Sequence, residues 1–353
     1  MKNSRSNPTV VKSELETSAP GLVQSWIHFW FSAASPVGLH TLRFLAGLLF
    51  IFWLIVLAGN QTAFFGLAGW VDRDAASRLR EDFQTSWSIL YLFDSNPGWV
   101  NVIYWSAFLI LILFTLGIWT RITSVLTWVL VVSFIANPVT RLDAEPLLGI
   151  LAFYLMIGYV LLGQWNRQVS WPERILGSNR TFLFGRGEQP TSIAASLAMR
   201  LLQVHFAVVV VTSGLHKLQS GDWWAGVAFW YPLHPPFETT VESLFAERAH
   251  ANQQLFFLSL AQYILLAWEL GFPLFAWRKS WRPVLLGGTL IGWIGCLAIY
   301  KQPLFGPIYC ICALSYLTPA EWLGICDKLK FAQGWIFGRE RNVQIRHGSK
   351  VPS

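Results

Sequence analysis

Two ionisable residues sit where an apolar chain makes charge costly. Lys217 ends the run "FAVVVVTSGLHK" and precedes "DWWAGVAFWYPLHPP", which stays aromatic instead of becoming a polar loop. A lysine in this setting has two readings. It can snorkel, laying its stem along lipid with the ammonium among the headgroups. If the aromatic segment folds over it and limits hydration, the neutral amine is favoured and can take a proton near neutral pH. Glu269 lies near the middle of another apolar run, "AWELGFPLFAW", and is followed by Pro273, which frees a backbone carbonyl. A carboxylate there reads as half of a structural ion pair or as part of a polar functional site.

The other ionisable groups inside apolar runs are Arg43, Arg200 and His205. Arg43 follows His40 by one helical turn on the same face, and Glu269 and Asp143 are its candidate partners. Arg200 comes early in its run, where it can snorkel. His205 reads as a hydrogen-bonded core histidine or as a proton shuttle, since imidazole titrates at about 6.5. It lies about 18 Å before Lys217 along a helix, too far to touch it.

No soluble-enzyme signature competes with these groups. G-x-S-x-G, Walker A, H-E-x-x-H and G-x-G-x-x-G before a strand are all absent, and "FGRGEQP" at 184–190 reads as a turn. Histidine spacing offers no metal cluster. No basic, aromatic surface of the nucleic-acid-binding kind is present. Neither a metal nor a nucleic-acid partner is therefore expected. Cys296, Cys310 and Cys312 fall in apolar runs and Cys326 follows them, with no CxxC pair; they read as small packing residues.

Membrane helices must position these groups. Of the 353 residues 54% are hydrophobic and 13% charged, about half the charge usual in a soluble domain. The 20 tryptophans and 26 phenylalanines suit broad lipid interfaces. With about 20 apolar residues per span, candidates lie near 38–59, 100–119, 122–139, 146–163, 193–216, 254–277, 283–301 and 304–319. The expected fold is all-α, a polytopic transmembrane helical bundle of about eight spans, whose main partner is lipid. It occupies 36–325, after a tail and interfacial helix at 1–35 and before a basic tail at 326–353. The stretch "GLVQSWIHFWFSAASP" at 21–36 is too short to span and suits the membrane surface. Net charge is +7. The basic residues concentrate in the two tails, near 119–122, in 164–192 and in "RKSWR" at 278–282. The positive-inside rule then puts both termini in the cytoplasm and Lys217 on the outer face.

The stretch "SGLHKLQSGDWWAGVAFWY" resembles the HTTM family, the multi-span bacterial group related to vitamin K-dependent gamma-carboxylase. Other stretches are similar to the family in the same order: "GLHTLRFLAGLLF", "LGIWTRITSVLTWVLVVSFIANP", "RLDAEPLLGILAFYLMI", "AWELGFPLF" and "LFGPIYCICALSYLTPAEW". The resemblance covers roughly residues 36–325. It implies a bacterial plasma (inner) membrane protein with an active site on its outer face. Lys217 would be a base toward a reduced quinone of the vitamin K type, supported by Glu269, His216 and Asp222. In the carboxylase, oxygenation of that quinone yields the base that opens glutamate to carbon dioxide. The family's arginine and asparagine map to Arg43 and Asn137; with Asp222, Trp223 and His205 they make up the expected substrate-binding set. This chain lacks the carboxylase's large lumenal domain, and two histidines expected from the family are missing from "GWIGCLAIYKQP" and "NPVTRLDAEP". Length and layout are closer to the domain-free SdpB-type branch, non-enzymatic membrane factors for maturing or exporting a small secreted peptide. A transporter has less support, since no inverted repeat is evident.

Overall fold

The structure, a computed structural model, describes residues 21–65, 69–70, 78, 87–91, 98–137, 140, 144–162, 191–234 and 240–325. Helix α1 (Leu22–Phe31) is short and leaves Leu22, Val23, Trp26, Ile27 and Phe31 exposed, the pattern of a helix lying on a membrane surface. Helix α2 (Val37–Leu57) leads to the short α3 (Gln61–Phe65). Helices α4 (Gly98–Leu116) and α5 (Thr120–Ile135) form a hairpin. Gly117, at φ 81°, ends α4 in the left-handed region that a side chain disfavours. The Ile118 N–H reaches the Leu113 carbonyl at 2.9 Å and the Gly117 N–H reaches that of Phe114 at 3.0 Å. These bonds satisfy the carbonyls that a helix end leaves open.

Helix α6 (Glu145–Leu161) opens on Glu145 and Pro146, a proline where the missing N–H is harmless. Helix α7 (Ile193–Lys217) ends on a lysine, whose charge complements the negative end of the helix dipole. Two short helices, α8 (Gly221–Ala225) and α9 (Trp230–Leu233), precede α10 (Val241–Phe275), α11 (Arg282–Tyr300), α12 (Phe305–Leu314) and α13 (Pro319–Ile325). No strand occurs among the described residues; one isolated bridge, Ala34 to Ser192, ties the exit of α1 to the start of α7.

Five helical stretches are long and apolar enough to cross a membrane: Val37–Asn60, Gly98–Leu116, Ile193–Lys217, Asn252–Phe275 and Lys279–Tyr300. The pair α12 and α13, bent by 115°, makes a sixth if it is one broken span. Of the eight expected spans, 122–139 and 146–163 appear as apolar helices of 16 and 17 residues. Both are shorter than the roughly 20 residues that hydrocarbon thickness asks. The stretch 304–319 is interrupted after Leu314. The chain is an all-helical integral membrane protein. The basic tails at 1–20 and 326–353, the 163–190 connection and Cys326 lie outside the described residues.

Helix α2 packs on α4, α6 and α12, and α7 packs on α6, α10 and α12. These two helices are therefore the centre of the bundle. Phe50, Phe114, Leu148 and Val210 are fully buried between them and their neighbours. Outward, Phe52, Ile55, Phe256, Ile264, Ile291 and Ile294 are exposed. Apolar surface this extensive is stable against lipid and not against water.

Candidate functional site

Helices α7 and α10 approach closely at Gly214. A Cβ there would lie 3.2 Å from the Glu269 Cβ and 3.1 Å from Leu270 Cδ2. Hydrogen at this position brings the last turn of α7 against α10 about two turns before its end. Lys217 Nζ donates to Glu269 Oε1 at 2.6 Å, to Glu269 Oε2 at 2.8 Å and to Ser213 Oγ at 2.8 Å. Ser213 Oγ in turn donates to Glu269 Oε1 at 3.3 Å. Ser213 stands one turn before Lys217, where i and i+4 share a face. The side chains of Lys217 and Glu269 are 21% and 9% exposed. Charge-assisted bonds of this kind are about twice as strong as neutral ones, which a membrane interior requires of two opposite charges. Pro273, inside α10, has no N–H to give the Glu269 carbonyl four residues earlier. The helix is thus less tightly tied at the residue that carries the carboxylate.

The aromatic segment after Lys217 is a folded cap docked on α10. Gln262, fully buried, accepts the Ala228 N–H at 2.9 Å and donates to the Trp223 carbonyl at 2.6 Å. Ser259 Oγ donates to the Gly226 carbonyl at 2.6 Å, and Tyr263 Oη to the Trp224 carbonyl at 2.8 Å. Gly226 turns the chain at φ 76°. This docking sets the Trp223 ring 5.2 Å from Lys217 Nζ, a cation–π distance.

Beneath the cap lies a cavity of about 430 Å³, within the range of small-molecule sites. Ser213, Lys217 and Glu269 form its polar corner, while Trp223, Trp268, Trp293, Phe305 and Tyr309 supply aromatic walls. The lysine is therefore neither an extended snorkel nor an isolated amine. It is a paired, capped group at the edge of a hydrophobic chamber.

Of the residues expected from sequence, the structure brings Lys217, Glu269 and Trp223 together. His216 is exposed, about 100° around the helix from its neighbour, and does not line the cavity. Asp222 is exposed and uses its carbonyl, which accepts the Val227 N–H at 3.0 Å. His205 Nδ1 bonds Tyr154 Oη at 2.8 Å and lines a separate cavity of about 350 Å³ bounded by α5, α6 and α7. Arg43 is fully buried, with its guanidinium against Gly117 and 5.5 Å from the centre of the Tyr159 ring. Its candidate partner Glu269 pairs with Lys217, and Asp143 lies outside the described residues. Asn137 Nδ2 donates to the Phe64 carbonyl at 2.6 Å, tying the exit of α5 to α3.

Ser213, Gln262, Trp268, Trp293 and Tyr309 were not singled out from sequence. Ser213 carried a signal in its i, i+4 spacing to Lys217, and Gln262 in being an amide inside an apolar run two turns before Glu269. The wall aromatics carried none that set them apart from the many other rings in the chain. No group of three or more His, Cys, Asp or Glu side chains placed to hold a metal occurs among the described residues. Comparisons of the chain with family models, with curated proteins and with solved structures return no match.

Proposed function

We propose that this membrane protein is a carboxylase-like member of the HTTM group that receives a reduced, lipid-soluble quinone in the cavity beneath the α8–α9 cap. Lys217 serves as the general base. The observation that carries this reading is the opening of the Ser213–Lys217–Glu269 cluster onto an aromatic-walled chamber of about 430 Å³. Fused planar rings pack against indole and phenol faces in offset or edge-on geometry. The hydroxyl of such a ring needs a polar partner, and the cluster supplies it at one corner. Holding two opposite charges out of water costs several kcal/mol per ion, offset by their attraction. Passing the proton from Lys217 Nζ to Glu269 removes that cost and leaves a neutral amine. The amine can then take the quinol proton and, as an ammonium, hold the anion it has made.

The charge bias of the sequence supports an outer-face site in a bacterial plasma membrane. The alternative, a non-enzymatic factor that matures or exports a secreted peptide, is less well served by a cavity walled chiefly by aromatic side chains. The experiment is a titration of menadiol into the protein in nanodiscs, following tryptophan emission and quinolate absorbance. Saturable quenching with quinolate formation is expected for the wild type. Lys217→Arg should bind without forming quinolate, because guanidinium keeps its proton. Lys217→Ala should weaken binding about tenfold or more. Equal quenching and equal quinolate yield in all three proteins would refute the base assignment.

A further inference from the structure

We propose a second ligand site at the opposite end of α7, one that takes a phosphate-type oxyanion. Arg200, about 25 Å before Lys217 along the helix, lines a cavity of about 90 Å³ together with Gln203, Arg282, Ser315, Thr318 and Trp322. The space equals about three water molecules' share of liquid volume. That suits one phosphate group.

The polar groups around it form an ordered scaffold whose acceptors are already in use. Gln203, itself buried, donates through Nε2 to the Ser315 carbonyl at 2.7 Å. Its Oε1 accepts Arg200 Nη1 at 3.0 Å and Trp277 Nε1 at 3.1 Å. Tyr316 Oη donates to the Gln203 carbonyl. Glu321 accepts Arg282 Nη1 at 2.9 and 2.7 Å, and its Oε2 also takes the Thr318 N–H and hydroxyl at 2.7 Å each.

What remains is a surplus of donors and of positive charge. Ser315 Oγ, Trp322 Nε1 and Arg282 Nε are buried N–H or O–H groups with no acceptor among the described residues. Ser315 is 0% and Trp322 4% exposed. Arg200 and Arg282 both line the cavity, and among the described residues the ion pair there is the one between Arg282 and Glu321. An unmet buried donor costs about as much as a lost hydrogen bond. A cation or an apolar guest would satisfy none of these groups; an oxyanion satisfies several at once, and arginine is the side chain best matched to phosphate geometry.

The site also lies beside the surface helix α1. Phe29 of the surface helix α1 stacks on Arg200, ring centre to guanidinium 4.4 Å, and its ring centre is 6.2 Å from that of Trp277. A phospholipid headgroup and free inorganic phosphate present the same chemistry to it.

The test uses the full chain in a maltoside detergent. Native mass spectrometry compares retention of phosphatidylglycerol with that of a galactosyl diacylglycerol bearing the same acyl chains. Thermal unfolding is followed in inorganic phosphate against chloride at equal ionic strength. Selective retention of phosphatidylglycerol without stabilisation by phosphate identifies the headgroup as ligand, the reverse identifies the free ion, and both together identify the shared group. Arg200→Gln and Ser315→Ala should each raise the Kd about tenfold, the loss of one charge-assisted contact. Should Arg200→Gln fail to fold, Ser315→Ala decides alone, because it removes a hydroxyl that bonds nothing among the described residues. Absence of both selectivities, or retention unchanged by Ser315→Ala, overturns the proposal.

Discussion

The Lys217–Glu269 pair can be weighed by a double-mutant cycle. Glu269→Leu leaves the ammonium, among the described residues, with Ser213 Oγ and the face of Trp223. Breaking a fully buried pair costs about 3–5 kcal/mol. Lys217 keeps 21% of its side-chain exposure and can swing toward water, so the expected loss is about 2–3 kcal/mol. Lys217→Met strands a carboxylate 9% exposed, which protonation partly relieves, again at a cost of about 2–3 kcal/mol. The double variant removes both charges and retains apolar volume, so it should lose at most about 2 kcal/mol, well short of the sum of the single losses. The coupling is then at least about 3 kcal/mol, at the upper end for residues in contact. Sodium dodecyl sulfate titration in mixed micelles, read by tryptophan emission, gives the four stabilities. If the double loss equals the sum of the single losses to within about 0.5 kcal/mol, the pair is not coupled and the argument from burial fails.

Two further outcomes follow from the same geometry. Gln262→Leu strips the cap of the bonds to Ala228 N–H and the Trp223 carbonyl; it should speed labelling of Lys217 by a membrane-impermeant amine reagent severalfold, and an unchanged rate would mean the cap is held by other contacts. Gly117→Ala places a methyl group at φ 81° and within 2.8 Å of the Arg43 guanidinium; a loss of about 2 kcal/mol or more is expected from strain and displacement together, measured by the same detergent titration.

The sequence made the class legible because lipid leaves a coarse mark: few charges, many rings and apolar runs of countable length. It also pointed to Lys217 and Glu269 separately, since each is anomalous in its own run. Their pairing depends on how α7 and α10 rotate about their axes, which Gly214 helps set and which one sequence does not display. His216 shows the opposite case. Its proximity along the chain made it a candidate, yet adjacent helical residues point about 100° apart. His205, twelve positions before Lys217, falls about 120° away by the same arithmetic and so meets Tyr154 on α6. Arg43 and Asn137 carry polar groups that the fold spends on holding α2, α5 and α3 in place. Span counting went less far, because α5 and α6 are apolar but short, and because the chain bends between α12 and α13.

Helix α10 has 35 residues, about 52 Å at 1.5 Å each, of which the apolar portion begins at Asn252. Its first eleven residues therefore extend roughly 16 Å beyond the stretch suited to hydrocarbon. Ser259 and Gln262, which moor the cap, and Glu269, which holds the lysine, fall on a single stripe of this one rod. Because one rod carries all three, a rotation of α10 about its own axis would displace the cap's moorings and the carboxylate together.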